Sequence, residues 1–298
     1  MTHHLDDASC IFAFSKDNAP VMTVPSGAIV CIRTVDCYND TLRADNDPRG
    51  EAPVKEKSGG NPATGPIFVE GAEPGDTLKC EILSIKCADY GTMRIRPGVG
   101  YMGDLVTAKT VRAIPINGSF ASLDGVTVPV DPMIGVIGVA PAGDPVDCET
   151  PGEHGGNMDT RHIREGSTLY LPVSTEGALF AVGDVHAQMG DGEVGVCGLE
   201  CAADVTVRLS VIKGRKEEWP VLLDQGCFYT IASAETLDKA GKLAANAMHA
   251  FLLSRAGIEN NHLIMLESLV CDLEVSQVVD PLITARMKLR PNVLNVEF

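Results

Sequence analysis

Short runs rich in Val, Ile and Thr alternate with clusters of Gly, Pro and Asp from about residue 28 to about residue 211. β-Branched side chains favour extended backbone, and the clusters between them favour turns. Clear examples of the runs are Ala28–Val35, Thr77–Ile85 and Val205–Ile212. Short strands separated by turns are typical of antiparallel sheets, so this region predicts a mainly β fold of the sandwich or barrel kind.

Two polar segments separate the predicted strands. In Glu73–Asp76 the proline presets φ and the next residue, a glycine, accepts positive φ, so a turn should lead into a strand from Thr77. Asn39–Thr64 is rich in Pro, Gly and Asp and has little periodicity. Loops of this length are uncommon inside compact domains and are often functional, so we interpret it as an excursion that forms a lid or a partner arm.

The pattern becomes helical after about residue 232. In Ala234–Gly257 apolar side chains recur at helical spacing, with good helix formers between them. Asn261–Asp272 is predicted to form a second helix, and Pro281 is expected to end regular structure. The predicted fold class is therefore mainly β with C-terminal α-helices, in one domain over residues 1–298.

The formal net charge of −16 limits the partners of the chain. It repels nucleic acids and anionic membrane surfaces, whereas a neutral or cationic small molecule or a metal cation remains compatible. No uninterrupted apolar run reaches the ~20 residues of a membrane span, and the first residues lack the order of a signal peptide. We therefore expect a cytoplasmic protein whose ten cysteines are mostly reduced.

The densest group of potential metal ligands lies in Pro151–Asp159. His154, Asn157 and Asp159 surround a Gly-Gly pair. Because these glycines let the backbone fold sharply, the three side chains can converge on one point, as a divalent ion requires. A polar turn without a ligand is the alternative interpretation.

A second group of polar residues follows in Phe180–Glu193. In an extended strand Asp184 and His186 point to the same face, so they can share an ion, or the carboxylate can orient the imidazole. A purely structural His–Asp pair would have the same spacing. Three further carboxylates follow apolar runs, where they can face a pocket or lie in a solvated loop: Asp36, Glu70 and Glu200.

Several common catalytic motifs do not occur in the sequence. There is no G-x-S-x-G elbow, no H-E-x-x-H helix and no Walker loop. The usual serine hydrolase, zincin and nucleotide hydrolase interpretations therefore lose their local support. Water activated by a metal ion remains as the favoured chemistry.

Five segments carry a resemblance that extends over nearly the whole chain. They are Ser58–Asp76, Met133–Pro141, Pro151–Asp159, Gly183–Glu193 and Gln277–Val279. In this order they resemble the acetamidase/formamidase family. The resemblance implies a β-rich fold particular to that family, assembly into homo-oligomers and hydrolysis of carbon–nitrogen bonds in simple amides.

The resemblance, combined with ligand chemistry, implies roles for the polar residues. A divalent ion, most simply zinc with manganese, iron or calcium as alternatives, would be held by Asp36, His154, Asp159, Asp184 and His186. Asn157 and Glu200 would contact the substrate. Glu193 would protonate the departing amine, with Glu70 as the second choice.

The resulting hypothesis is metal-dependent hydrolysis of a short-chain amide, formamide or acetamide, to a carboxylate and ammonia. One alternative makes Cys201 the nucleophile beside Glu200, with a lysine elsewhere, and predicts inactivation by iodoacetamide. Another alternative keeps the metal as a structural clamp in a binding or scaffold protein. The two substrates differ by one methyl group, worth only ~1–3 kcal/mol in a fitted pocket, so the sequence leaves the preference open.

Overall fold

The computed structural model describes residues 2–45, 47–53, 60–215 and 217–294, together with Val296 and Phe298. In chain order, the strands are β1 (Thr2–Leu5), β2 (Cys10–Ile11), β3 (Ala13–Phe14), β4 (Met22–Val24), β5 (Ala28–Thr34), β6 (Ala63–Val69), β7 (Thr77–Cys87), β8 (Tyr90–Ile95), β9 (Thr110–Asn117), β10 (Phe120–Leu123), β11 (Val126–Pro129), β12 (Met133–Gly138), β13 (Val146–Asp147), β14 (Gly155–Asn157), β15 (Thr168–Pro172), β16 (Phe180–His186), β17 (Glu200–Cys201), β18 (Ala203–Ile212), β19 (Val221–Asp224), β20 (Cys227–Ala234), β21 (Cys271–Gln277) and β22 (Ile283–Leu289). The helices are α1 (Leu237–Leu253) and α2 (Asn260–Val270), with a short 3-10 helix at Gly103–Leu105. The predicted fold class, mainly β with C-terminal helices, is confirmed.

Two large sheets dominate the architecture. The first has nine strands in the order β1-β5-β18-β7-β15-β19-β20-β22-β21. The second has eleven strands; β11-β10-β9-β8-β17-β16-β12-β14 form its main path, and β6 joins it through β16 and also pairs with β2 and β4. Among the described strands, only the pairs β1–β5 and β4–β6 are parallel. This arrangement confirms the mainly antiparallel pairing that the short strands predict.

The largest apolar cluster draws its side chains from both sheets. Ile32 of β5 and Val207 of β18 come from the first sheet, and Ile137 of β12 and Phe180 of β16 come from the second. All four are fully buried, so the inner faces of the sheets pack on each other. Strands β12 and β16 are buried along their entire length. Any polar side chain on these strands is therefore held away from bulk water.

The two helices cover part of the nine-stranded sheet. Thr236 caps α1 by accepting a hydrogen bond from the backbone N–H of Lys239, and the helix contacts β20 and β22. Met248 and Phe251 of α1 pack with Phe228 of β20 in a second apolar cluster. Within the ranges given above, no helix is long and apolar enough to cross a membrane.

The strands and the turn predicted for the part of the chain before α1 agree with the structure. The predicted strands correspond to β5, β7 and β18. In the turn before β7, Gly75 has φ of 99° and the backbone N–H of Asp76 donates to the carbonyl of Glu73 at 3.0 Å. Between β5 and β6 the described residues form no strand, but Ala63 and Thr64, the last two residues of the predicted excursion, belong to β6. Residues 46 and 54–59, which include Ser58, lie outside the described residues.

The prediction of a helical tail from about residue 232 is partly wrong. Strand β20 extends to Ala234, and two more strands follow α2. Pro281 lies in the connection between β21 and β22, and regular structure resumes at Ile283. Strand β22 pairs with both β20 and β21. Its ladder hydrogen bonds and burial come from these two partner strands, and the local propensity of β22 does not reflect such contributions.

Candidate active site

A group of buried acidic side chains surrounds one histidine at the second sheet. Asp184 and His186 belong to β16, Asp159 follows β14, Glu193 lies between β16 and β17, and Glu200 begins β17. These five side chains, the acidic cluster, are between 1% and 8% exposed. Carboxylates are almost never buried this completely unless a cation, a proton or a hydrogen-bond donor compensates them.

The imidazole of His186 lies at the centre of the acidic cluster. Its Nε2 atom is 3.1 Å from Glu200 Oε2, 3.3 Å from Asp184 Oδ1 and 3.8 Å from Asp159 Oδ1. A single ring N–H can be well aligned with only one of these oxygens. The short separation of Asp184 and His186 agrees with the predicted pair. Two further carboxylates, those of Asp159 and Glu200, lie near the same nitrogen.

Two groups of three potential ligands lie within this region. In each group the ligand atoms are all within 4.8 Å of one another; the groups are Cys37–Asp184–Glu200 and Asp159–His186–Glu193. Both carboxyl oxygens of Asp159 and Oε2 of Glu200 are buried without an aligned hydrogen bond from any described residue. Unpaired buried oxygens are costly, and a divalent cation that takes oxygen and nitrogen ligands would compensate them. The donor set therefore fits a divalent metal ion.

Three residues of the acidic cluster have left-handed backbone conformations. The φ angles of Asp159, Asp184 and Glu193 are 42°, 51° and 46°. Non-glycine residues adopt such angles at a cost of order 1–3 kcal/mol each, and these conformations concentrate at functional sites. The backbone at Asp184 therefore departs from the extended geometry that the sequence predicts for a regular strand, and the Asp184 side chain contacts His186 from this conformation.

Two glycines allow the backbone to approach the cluster closely. A Cβ atom on Gly135 of β12 would lie 2.4 Å from Asp159 Oδ1 and 2.9 Å from Asp184 Oδ2. A Cβ atom on Gly198 would lie 2.5 Å from His186 Nδ1. Any larger residue at these positions would have to displace a side chain of the acidic cluster.

Burial controls the protonation of the acidic cluster. It raises the pKa of Asp159 to about 6 and that of Glu200 to about 8. Burial and the nearby Asp159 raise the pKa of Glu193 well above its usual range. Burial opposes ionisation of Asp184 and His186 as well, but their mutual attraction lowers the pKa of the carboxyl group and, with Glu200, raises that of the imidazole. Burial therefore favours the protonated form of Glu193, while the contact with His186 favours the ionised form of Asp184.

Three further side chains, for which no role was predicted from the sequence, also lie at the site: Asn61, Asp280 and Cys37. Asn61 Nδ2 donates to Asp184 Oδ2 at 2.9 Å, and Asn157 Nδ2 donates to Asp280 Oδ2 at 3.0 Å. Burial, Glu200 and Asp184 raise the pKa of the Cys37 thiol well above its usual range. Asn61 lies inside a segment that carries the family resemblance, and Asp280 directly follows another. Their position in or next to these segments was the sequence feature that could have indicated a role at the site. Cys37 had no such signal.

A cavity of about 250 Å³ opens onto the acidic cluster. Asn157, Asp184, Glu193 and Glu200 contribute to its wall. Its rim includes Tyr38 and Arg94, and the Arg94 guanidinium lies 4.7 Å from the centre of the Tyr38 ring. A polar cavity of this size suits a ligand of few heavy atoms.

Asp36 lies next to Cys37 but belongs to neither ligand group. Its Oδ1 atom accepts hydrogen bonds from the backbone N–H groups of Tyr38 at 3.0 Å and Asp40 at 2.7 Å. Burial raises its pKa to about 6. The Oδ1 atom therefore shapes the turn after β5, whereas the buried Oδ2 atom has no hydrogen-bond partner among the described residues, and Asp36 lies outside the two groups of potential ligands.

His154 and Glu70 are also separated from the acidic cluster. The His154 ring packs edge-on against Phe14, lines a different cavity of about 510 Å³, and burial lowers its pKa to about 4. His154 precedes β14 whereas Asp159 follows it, so the convergence predicted for this segment is incomplete. Glu70 is exposed after the last residue of β6, roughly 20 Å along the strand from Ala63, which lies two residues after Asn61. The structure therefore places neither residue in the site.

Comparisons with known proteins agree with this fold. The model of the acetamidase/formamidase family matches residues 6–150 and 147–234. A solved structure described as a predicted acetamidase/formamidase from Thermoanaerobacter tengcongensis is 43% identical with a TM-score of 0.92; the match covers 98% of this chain and 96% of that one. An acetamidase structure from Bacillus halodurans is also 43% identical, with a TM-score of 0.89 and 96% of each chain covered.

A curated acetamidase from Mycolicibacterium smegmatis is 28% identical over 227 residues, which cover 53% of this chain and 55% of the relative. The chain spans about half the length of the curated relatives it matches. The family model nevertheless covers most of this chain, and the solved structures match it almost from end to end. The chain therefore belongs to the acetamidase/formamidase family.

Proposed function

We propose that this protein hydrolyses a short-chain amide, formamide or acetamide, to a carboxylate and ammonia with the help of a divalent metal ion. The observation that carries the proposal is the acidic cluster, which surrounds one histidine at the wall of a cavity of about 250 Å³. Family membership and the acetamidase names of the relatives support amide hydrolysis.

Four residues have the chemistry to hold the ion: Asp159, Asp184, His186 and Glu200. Mixed carboxylate and imidazole ligands suit zinc, with manganese and calcium as alternatives. A bound divalent ion supplies Lewis acidity and lowers the pKa of water to about 7. Asp36 and His154 are not part of this proposal, because neither belongs to a ligand group.

Two side chains of the cavity can act on the amide itself. Burial and Asp159 raise the pKa of Glu193 and so favour its protonated form, from which it can donate a proton to the departing nitrogen. Asn157 donates its Nδ2 hydrogen to Asp280, while its buried Oδ1 atom has no partner among the described residues. That oxygen can accept a hydrogen bond from the NH₂ group of an amide, which an ester lacks.

Removal of the metal is expected to abolish ammonia release from formamide and acetamide. The polarising charge disappears, and the acidic cluster is left with unpaired carboxylates. Ammonia release from formamide, acetamide and propionamide is measured before chelation, after chelation and after return of zinc or manganese, with metal content determined on each sample. Full activity in metal-free protein would contradict the proposal, and tight metal binding without ammonia release would favour the structural clamp.

The nucleophilic cysteine is the alternative with a specific candidate residue. Cys201 is buried, and its Sγ atom donates to the carbonyl of Val185 at 3.5 Å. A hydrogen bond with Cys87, burial and neighbouring Glu200 raise its pKa well above the usual range. A thiol that stays protonated is a poor nucleophile. These contacts favour a structural role for Cys201.

Cys201→Ala is therefore expected to keep nearly unchanged kcat for ammonia release. The substitution removes the thiol and leaves the carboxylates and the histidine in place. The measurement is steady-state ammonia release from acetamide and formamide, with the thermal unfolding midpoint of the same preparation as its control. Complete loss of turnover in a folded variant that retains its metal would establish the cysteine mechanism instead.

A further inference from the structure

Arg286 of β22 carries a buried charge outside the acidic cluster, and its side chain is only 1% exposed. Its Nη1 and Nη2 atoms donate to Oδ1 and Oδ2 of Asp191 at 3.0 and 2.7 Å, and its Nε atom donates to Glu274 at 2.9 Å. Nη1 also donates to the carbonyl of Val275 at 2.8 Å and to Ser276 Oγ at 3.2 Å. A buried guanidinium with this many partners fixes the geometry of every segment that it contacts.

The first of these segments carries Glu193. Asp191, which accepts both arms of the guanidinium, lies two residues before Glu193. The residue between them, Gly192, donates its N–H to the carbonyl of Ser276 at 2.8 Å and accepts from the N–H of Val278 at 3.2 Å. The left-handed backbone at Glu193 then directs its carboxyl group into the acidic cluster.

The second segment carries Asp159. Ser276 Oγ, which accepts a hydrogen bond from Arg286, lies 2.8 Å from Thr160 Oγ1. Thr160 directly follows Asp159, and both Thr160 and Ser276 are fully buried. A single chain of two contacts therefore connects the guanidinium to the residue adjacent to Asp159.

The third segment carries Asp280. Gln277 directly follows Ser276 and is fully buried. Its Oε1 atom accepts hydrogen bonds from the N–H groups of Val279 at 2.8 Å and Asp280 at 3.0 Å. The loop between β21 and β22 is thus tied to the strand residues that the guanidinium contacts.

We infer that Arg286 is a positioning residue of the active site, which fixes the segments bearing Asp159, Glu193 and Asp280 while contacting none of these carboxylates. Asp184, His186 and Glu200 depend on the pairing of β16 with β17 instead. The inference rests on the proposed function for its catalytic readout. Misplacement of a reacting group by about 1 Å costs about 100-fold in rate, and loss of a supporting contact costs about 10- to 100-fold in metal affinity or activity.

Asp191→Asn tests the inference with little risk to folding, because the Asp191 side chain is 38% exposed. An amide lacks the second acceptor oxygen, so the two-armed contact with Arg286 is lost. We expect kcat for acetamide to fall by about 10- to 100-fold, a much smaller change in KM, and about 10- to 100-fold weaker Zn²⁺ binding. Arg286→Lys keeps the charge without the fork and should show the same losses.

Asp272→Asn is the matched control, because Asp272 lies on the hairpin of β21 and β22 that also carries Arg286. Asp272 accepts two hydrogen bonds from Arg290, at 3.0 and 2.7 Å, but this pair is exposed and takes no part in the hydrogen bonds that lead from Arg286 towards the acidic cluster. Its substitution should leave both kcat and Zn²⁺ affinity unchanged. Equal losses of kcat and Zn²⁺ affinity in the Asp191 and Asp272 variants would show that the loss of either Arg–Asp pair has the same general effect, and would overturn the inference.

Zn²⁺ affinity of the metal-free protein, measured by competition with a chromophoric chelator, does not depend on turnover. A wild-type protein that binds Zn²⁺ but hydrolyses no amide would end the proposed function, while the affinities would still test Arg286. Wild-type kcat and wild-type Zn²⁺ affinity in folded Asp191→Asn would overturn the inference. If the wild type binds no Zn²⁺, crystal structures of the wild type and of Asp191→Asn test the inference instead. Asp159 and Glu193 carboxyl groups that occupy the same positions in both structures would overturn it.

Discussion

Glu193→Gln is expected to lower kcat for formamide or acetamide by about 100- to 10,000-fold, the usual contribution of a general acid. Glutamine has nearly the same shape but cannot transfer a proton to the departing nitrogen. Burial and Asp159 raise the pKa of the Glu193 carboxyl group, which favours the protonated form that a general acid requires. Steady-state ammonia release at several pH values, with metal content measured on the same samples, determines the size of the loss.

Glu70→Gln is the control for this prediction. Glu70 is exposed at the far end of β6, so its substitution should leave kcat at the wild-type value. The comparison also decides between the two acids that the sequence offered. A Glu193→Gln protein that retains its metal and turns over at the full rate would require a different proton donor.

Gly135→Ala is expected to disrupt the acidic cluster more broadly. The added Cβ atom would lie 2.4 Å from Asp159 Oδ1 and 2.9 Å from both the carbonyl oxygen and Oδ2 of Asp184. Strand β12 is buried along its whole length, so its backbone cannot shift freely to relieve the overlap. We expect Zn²⁺ affinity and kcat to fall by about 100-fold or more and the free energy of unfolding to fall by about 1–3 kcal/mol.

Gly143→Ala is the matched control for Gly135→Ala, because a Cβ atom at Gly143 meets no atom within 4 Å. Both substitutions add one methyl group, so a difference between them reports the close approach to the acidic cluster. Zn²⁺ titration, ammonia release and thermal unfolding are measured on both proteins. Unchanged Zn²⁺ affinity and turnover in Gly135→Ala would show that Asp159 and Asp184 can move without consequence for the site.

The accuracy of the sequence interpretation follows the range of the interactions involved. The turn Glu73–Asp76 and the start of the strand after it depend on neighbouring residues, and the structure reproduces them. The pairing of Asp184 with His186 also spans two residues only, and their atoms lie 3.3 Å apart. The convergence predicted for Pro151–Asp159 is incomplete, since His154 precedes β14 and lines a different cavity, whereas Asp159 follows β14 and joins the acidic cluster.

By itself, the sequence determined the mainly β fold and the two helices and supplied a set of candidate metal ligands, because local backbone preference and side-chain chemistry are properties of individual residues and their neighbours. Only the tertiary structure decided which of these ligands meet. The contact between Asn157 and Asp280 joins residues 123 positions apart, and the contact between Thr160 and Ser276 joins residues 116 apart. Such pairs form because sheet pairing brings distant segments together, and no local pattern records that pairing.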